Sequence, residues 1–162
     1  INSLMIPDPP GALDLNAHDW LLANGRGKKI AMVGHFPFAE EIRLIAESFW
    51  ILEKNPRPGD LPASESRHLI PEADIVAITG SAFVNHSIDE VVGYCRSSSI
   101  VLILGPSTPL SPLLFNYGIS ILSGTYVVNE EIVLNSIQEG ATNRNLTGVR
   151  RMTIIKPEAN LA

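Results

Sequence analysis

The residues with chemical capacity are few and dispersed. The chain carries four histidines, one cysteine and seventeen acidic side chains, and most of them stand singly. Two stand where an apolar run ends. His35 follows Gly34 in Gly34-His35-Phe36-Pro37, and Glu53 opens Glu53-Lys54-Asn55-Pro56. An imidazole beside a carboxylate can ligate a divalent cation. A histidine that titrates near neutral pH can also pass a proton, provided the geometry brings it to a substrate. His35 and Glu53 are therefore the candidate metal ligands, and His35 is the candidate acid or base. No H-x-x-x-H, C-x-x-C or facial-triad spacing accompanies them. His18 reads as a surface residue. Cys95 falls on an apolar stripe with Ile88, Val91 and Val92, which makes it a buried structural thiol and not a nucleophile.

A nucleotide reading is constrained at the first loop. "GHFPFAE" (34–40) lacks the second and third glycines of G-x-G-x-x-G, so close approach of a pyrophosphate is unsupported. Glu40 and Glu41 would also repel a diphosphate at that helix start. Glu53 is better placed, ending a strand where an acidic residue accepts ribose hydroxyls. An adenosine-containing ligand without a diphosphate, such as an S-adenosylmethionine-like molecule, is thus allowed. A solvated strand end is an equally open reading of Glu53.

The stretch "LILGPSTPLSP" (102–112) starts as a strand and breaks into Gly105, Pro106, Ser107, Thr108 and Pro109. Thr108 is a poor N-cap, because Pro112 would then sit where a helical amide is needed. Ser111 as N-cap with Pro112 at the first helical position is consistent. That leaves 105–110 as a loop whose prolines restrict it and whose Ser107 and Thr108 hydroxyls face a ligand. A rigid structural connection is the competing reading. Ser107 has no base identifiable by spacing, and G-x-S-x-G is absent. Asn85 offers an amide at the mouth of another strand, or serves as a turn residue. Phe36 and Phe38 could flank a planar ligand or pack in the core.

Elements must gather these residues. Apolar runs predict strands over 28–34, 49–55, 73–80, 99–105 and 120–128, with an edge strand over 150–156. Asn16 caps a short helix carrying Ala17, Trp20, Leu21 and Leu22. Helical spacing of Phe38, Ile42, Ile45, Ala46 and Phe49 predicts a helix over 38–49. Ser87 and Glu90 form a capping box that starts a helix through about Ser97. A short helix follows near 112–117. Asn129 caps a last helix with Ile132, Val133, Ser136 and Ile137 on one face, ended by Gly140.

Strands apolar on both faces, alternating with helices, define an α/β fold: a doubly wound, mostly parallel sheet, Rossmann-like, in a three-layer sandwich. Ligands in such sheets bind beyond the carboxyl ends of the strands. Those ends are 34–37, 53–56, 79–81 and 105–108. The expected organisation is an N-terminal arm and short helix over 1–28, a Rossmann-like domain over 29–157 and a tail over 158–162.

At 162 residues, 45% apolar and 18% charged, the chain suits one ordinary domain and not a disordered segment. A net charge of −5 with no basic cluster beyond Arg150 and Arg151 excludes nucleic acid as the main partner. One cysteine cannot form an internal disulfide, so a reducing, cytoplasmic setting is expected. No apolar run reaches transmembrane length, so no membrane partner is expected. The low charge fits a partner surface, with a homo-oligomer (a dimer) as one expectation. The chain begins with Ile1, so a missing upstream domain is the other.

The segments "VGHFPF", "LEKNPRPGD", "ADIVAITGSAFVNHS", "LGPSTPLSPLLFNYGI" and "LSGTYVVNEEIVLNSIQEG" occur in an order that resembles the DUF364 family, known as "putative heavy-metal chelation" proteins. The resemblance covers about residues 16–156. It implies a Rossmann-like domain, usually preceded by a smaller domain like the N-terminal domain of enolase, with the active site between the two and metal chelation as its role. No enolase-like domain is visible in residues 1–28, so the chain is part of a longer protein or another subunit supplies that half. The positions that match are Gly34, His35, Phe36 and Pro37; Glu53, Asn55, Pro56 and Gly59; Thr79, Gly80 and Asn85; and Gly105 to Pro109. With Ser81, from the same strand end, these form the candidate ligand site. The function expected is binding of a small ligand or metal chelate at the carboxyl ends of the strands. The alternative is an enzyme that uses an adenosine-containing cofactor on a small polar substrate. The cofactor is accordingly unknown, with a divalent metal ion or an adenosine-containing ligand as the candidates.

Overall fold

The computed structural model describes residues 11–142 and 145–157. Residues 1–10 of the expected arm, and the tail over 158–162, lie outside the described residues. The apolar runs become β1 (Lys29–Val33), β2 (Ser48–Glu53), β4 (Ile75–Thr79), β5 (Ile100–Leu104) and β6 (Ile121–Val127), with short β3 (Leu61–Pro62) and edge strand β7 (Val149–Ile155) completing the sheet. The strand order is β3-β2-β1-β4-β5-β6-β7. Every pairing is parallel except β6 with β7. The chain winds outward from β1 in both directions, so helices must cover both faces.

The cores show why the strands carry no polar face. Ala31, Leu52, Val76, Ile78, Val101 and Ile103 are buried on one side of the sheet, beneath α3 (Ser66–Leu69), α4 (Ser81–Val84), α5 (Ile88–Gly93) and a 3-10 helix over Pro112–Tyr117. Ile30, Met32, Ile51, Ala77, Leu102 and Leu104 are buried on the other, beneath α1 (Ala17–Asn24) and α2 (Ala39–Arg43). Burying each of the larger side chains contributes roughly 1.5–3 kcal/mol.

The first helix starts as its sequence predicts. Asn16 accepts a hydrogen bond from the Asp19 amide through its side chain (3.0 Å), and Trp20 and Leu21 are buried. Leu13 and Thr153 exchange backbone hydrogen bonds (2.8 and 3.0 Å). Segment 13–24 is thus packed into the same core as the sheet.

Two local expectations are corrected, and two further segments add what the pattern leaves open. The helix expected over 38–49 stops at Arg43, and Leu44 is 85% exposed. Phe49 and Trp50 belong to β2, whose pairing with β1 starts at Lys29 and Ser48; aromatic and apolar residues there serve the sheet better than a longer helix. Ser87 and Glu90 form no capping box. Ser87 has helix-like angles (φ −95°, ψ −2°), and its amide and hydroxyl both donate to Asn85 Oδ1 (3.2 and 2.6 Å). Glu90 Oε1 accepts from Tyr94 Oη instead (2.7 Å), and that helix ends at Gly93. The last helix, α6 (Glu130–Gln138), buries only Val133 and Ser136, leaving Ile132, Leu134 and Ile137 exposed. It lies within the β6–β7 connection and packs against the Gly148 turn, where a Cβ would meet Ile132 and Val133 at 3.0 Å. The region 61–72, without an expected element, holds β3, α3 and flanking 3-10 turns. Among the described residues, no helix is long and apolar enough to cross a membrane.

Candidate functional site

Parallel pairing sends the carboxyl ends of β1, β2, β4 and β5 to one rim. Two cavities open there. One, of about 290 Å³, lies at the ends of β1, β2 and β4, on the face covered by α3, α4 and α5. The other, of about 340 Å³, lies on the opposite face, beside α1 and the ends of β5 and β6.

The first cavity is organised by the turn after β1. Gly34 takes φ +99°, which glycine alone adopts freely, and an added Cβ would come 3.1 Å from Thr79 Cβ and Cγ2. Its amide donates to Leu52 O (2.9 Å), which holds the turn against β2. The next amide, of His35, donates to Glu53 Oε2 (3.2 Å), while Glu53 Oε1 accepts from the Lys54 amide (2.7 Å). The Glu53 carboxylate is therefore clamped by backbone before any ligand arrives.

His35 has a partner that the sequence does not announce. Its Nδ1 lies 3.0 Å from Asp60 Oδ1 and 3.1 Å from Oδ2. The Asp60 side chain is 1% exposed, against 24% for His35. Asp60 Oδ2 also accepts from the Arg57 amide (3.0 Å). An ionised carboxylate can only accept, so Nδ1 carries a proton, and in the neutral imidazole Nε2 is then the nitrogen with the lone pair. In the sequence, Asp60 ends Arg57-Pro58-Gly59-Asp60 and looks like an ordinary turn residue. The one signal is that this turn follows β2, directly after a candidate carboxylate.

The other candidates divide. Thr79, Ser81 and Asn85 line the first cavity with His35 and Glu53. Asn85 Oδ1 is taken by Ser87, so its amide nitrogen is the group left for a ligand. Pro37, Gly105 and Pro106 line the second cavity, and Phe36 lines both. Gly80, Ser107, Thr108 and Pro109 line neither, and Asn55 is simply exposed. The single crevice expected from the strand ends is thus two cavities on opposite faces. The Thr108 hydroxyl is not offered to a ligand: Thr108 is 1% exposed and packs against Gly80. The reason is that this loop folds inward across β4 rather than outward. Ser111 does precede the 3-10 helix in an extended conformation, with Pro112 first in it. His18 is not a plain surface residue. It stacks on Phe38 at 4.7 Å, with Nε2 3.2 Å from Glu41 Oε2.

Among the described residues, no group of three or more His, Cys, Asp or Glu side chains converges as a metal cage. Three side chains that could ligate a metal line the first cavity: His35 and Glu53 at the ends of β1 and β2, and Glu90 on α5, whose Oε1 accepts from Tyr94. That set is too small for a closed all-protein site. It suits an ion that brings ligands of its own.

At the far wall of this cavity, the hydrogen bond to Glu90 raises the Tyr94 pKa above 10.0, with burial adding to it. Behind it, burial pushes the Cys95 thiol up to about 11. Its Sγ donates to Val91 O (3.5 Å). The folded chain should therefore resist a thiol reagent near neutral pH and react once unfolded. The neutral thiol is favoured by folding, so its contribution is full below its ordinary value of 9.0 and is lost as pH rises toward about 11. Urea midpoints across that window should fall less steeply in Cys95→Ala than in the parent; an identical slope would contradict the assignment. Tyr94 acts with the same sign, which is why the variant comparison is needed.

The model of the DUF364 family, described as "Putative heavy-metal chelation", matches residues 16–156. The chain belongs to the DUF364 family. It is similar to a DUF364 protein with unknown function from Desulfitobacterium hafniense, with 32% identity, a TM-score of 0.80, and 90% of this chain and 60% of that one covered. A DUF364 protein from Pyrococcus horikoshii shares the fold at the same TM-score of 0.80 with 19% identity, over 92% of this chain and 62% of that one. "Uncharacterized protein MJ0500" of Methanocaldococcus jannaschii is 24% identical over 137 residues, 81% of this chain and 53% of its own length. This DUF364 chain therefore spans between half and two thirds of the length of these relatives.

Proposed function

We propose that this DUF364 chain binds a divalent metal ion as a small-molecule chelate, in the cavity at the ends of β1, β2 and β4. The observation that carries this is the His35–Asp60 pair. A metal-binding histidine typically gives its other ring proton to a carboxylate, which fixes the tautomer and raises the basicity of the ligating nitrogen. Here a buried Asp60 does so, and His35 Nε2 is left as a donor on the cavity wall. Glu53, clamped by two amides, supplies the second donor and negative charge. Thr79, Ser81 and Asn85 offer polar groups for the chelator's own atoms. The family description is in accord with this reading.

The test uses chelates that differ in open positions. Nitrilotriacetate is tetradentate and leaves two coordination positions of Ni²⁺ free, while EDTA leaves none. Calorimetric titration of the metal-free chain should show one Ni²⁺–nitrilotriacetate bound per chain and no binding of Ni²⁺–EDTA. Equal binding of both complexes, or of neither, would defeat the proposal.

A second reading draws on the same pair. An enzyme acting on a small polar substrate with an adenosine-containing cofactor could use His35 Nε2 as the proton acceptor, with Asp60 orienting it. Glu53 would then accept ribose hydroxyls, although both of its oxygens already accept backbone amides. A rise in melting temperature with S-adenosylmethionine, and none with Ni²⁺–nitrilotriacetate, would favour this reading.

A further inference from the structure

The second cavity has a chemistry unlike the first. It lies on the other face of the sheet, and no acidic side chain lines it, in a chain whose net charge is −5. One wall is aromatic. His18, Phe38 and Phe36 form a stacked row, with centroids 4.7 and 5.5 Å apart and planes within 27° and 25°. The cavity also carries a cation. Arg151 on β7 is the register partner of Thr125 on β6, so both side chains leave the sheet on the face where the cavity lies. Its neighbour Arg150 pairs with Asp14 (3.3 Å), whereas among the described residues no carboxylate lies within ion-pair distance of Arg151.

The floor adds little charge. Thr153 Oγ1 has one proton, and the Leu15 carbonyl accepts it. The 3.0 Å bond between Thr153 and Ser123 must then be donated by Ser123. Thr125 and Arg151 are then donors open to a ligand, with Asn16 at the edge giving one amide proton to Asp19 Oδ2 (2.8 Å) and keeping the other. Glu41 and Asp19 lie against His18 at 3.2 and 3.9 Å and are not among the lining residues.

We propose that this cavity binds a planar aromatic carboxylate. The ring packs against the edges of the His18–Phe38–Phe36 row, and the carboxylate is held by the forked guanidinium of Arg151 with Thr125 beside it. A row of stacked rings offers apolar edges to an aromatic body, a contact that an inorganic anion cannot use. A guanidinium matches a carboxylate bidentately. A volume near 340 Å³ suits one small molecule at the lower end of ligand pockets. The site is independent of the chelate reading, because it shares only Phe36 with the first cavity.

The test is an amide NMR titration of the whole chain with 2-naphthoate, against neutral 2-naphthamide and sulfate at constant ionic strength. Naphthoate should give saturable shifts at His18, Gly105 and Thr125. Arg151→Met, an exposed edge-strand change, should keep the rest of the spectrum and weaken naphthoate by at least about tenfold, the loss of a bidentate charged contact. Phe38→Leu should weaken it too, and His35→Ala should leave it unchanged. Shifts centred on Lys54, Ser66 and Tyr94, no saturation, or equal binding of the amide or of sulfate would each overturn the proposal.

Discussion

Replacing His35 with alanine should lower the affinity for Ni²⁺–nitrilotriacetate by more than about 100-fold, and Asp60→Asn should lower it by about 10–100-fold with His35 intact. The two effects have different causes. His35→Ala removes the nitrogen that would bind. Asp60→Asn leaves it in place but removes the charge that holds the proton on Nδ1. An asparagine can also present its NH₂ to the ring, which would turn the imidazole to its other tautomer and place the proton on Nε2. Asp60 is a positioning residue, so its variant needs a readout that a merely structural role would not move. The ¹⁵N shifts of the His35 ring report the tautomer directly. They should move in Asp60→Asn, while the chain stays folded by its amide spectrum. If Asp60→Asn leaves both the ring shifts and the affinity unchanged, the pair does not control the nitrogen and the chelate reading loses its main support. Because Asp60 Oδ2 also accepts from the Arg57 amide, Asp60→Ala would confuse turn stability with tautomer control.

The second large effect is on stability. Gly80→Ala should cost about 2–4 kcal/mol, at the upper end of overpacking. Gly80 has φ −57°, so backbone strain is not the reason. Crowding is. An added Cβ would stand 2.6 Å from Thr108 N, 2.8 Å from Ser107 C and 2.8 Å from Thr108 Oγ1. Two of these atoms are backbone and cannot rotate away. The Gly80 amide also donates to Leu104 O (2.7 Å), which ties β4 to β5 at this point. The two strand ends must part or the 105–110 loop must lift. Gly93→Ala is the control. Nothing lies within 4 Å of its Cβ position, and alanine favours a helix by up to about 1 kcal/mol. Urea unfolding should show the Gly80→Ala midpoint reduced by about 1 M or more, given slopes of roughly 1–3 kcal/mol/M. A midpoint within error of the parent would mean that the loop does not pack on β4 as described.

The same contact explains why the Thr108 hydroxyl faces inward and not toward a ligand. Pro106, Ser107, Thr108 and Pro109 look like a stiff arm offering two hydroxyls. Whether a hydroxyl points out or in depends on what stands across from it, and that is Gly80, 28 positions earlier in the chain. A glycine at the end of one strand leaves room for the loop at the end of another, and Thr108 fills the space. Nothing local to either segment records this.

The sheet was legible for the opposite reason. Runs such as Ile75–Thr79 and Ile100–Leu104 are apolar on both faces, and only a covered parallel sheet satisfies both at once. The end of each run in Gly34, Gly80 and Gly105 marked the rim, and His35, Glu53, Thr79, Ser81 and Asn85 did come together there. Local pattern failed where local and long-range demands compete. Phe49 fits a helix by spacing, yet pairing with β1 claims it. Ile132 and Ile137 share a helical stripe, yet the helix has no sheet beneath it. Two features of the site lay beyond any pattern. Asp60 closes on His35 only because β3 brings the turn after β2 back alongside the sheet. The strand-end loops face two cavities because the sheet has two faces, and periodicity reports burial without saying on which face a loop will lie. Residue types and their spacing determine which chain segments are buried; which polar group meets which is set by packing between segments far apart in sequence.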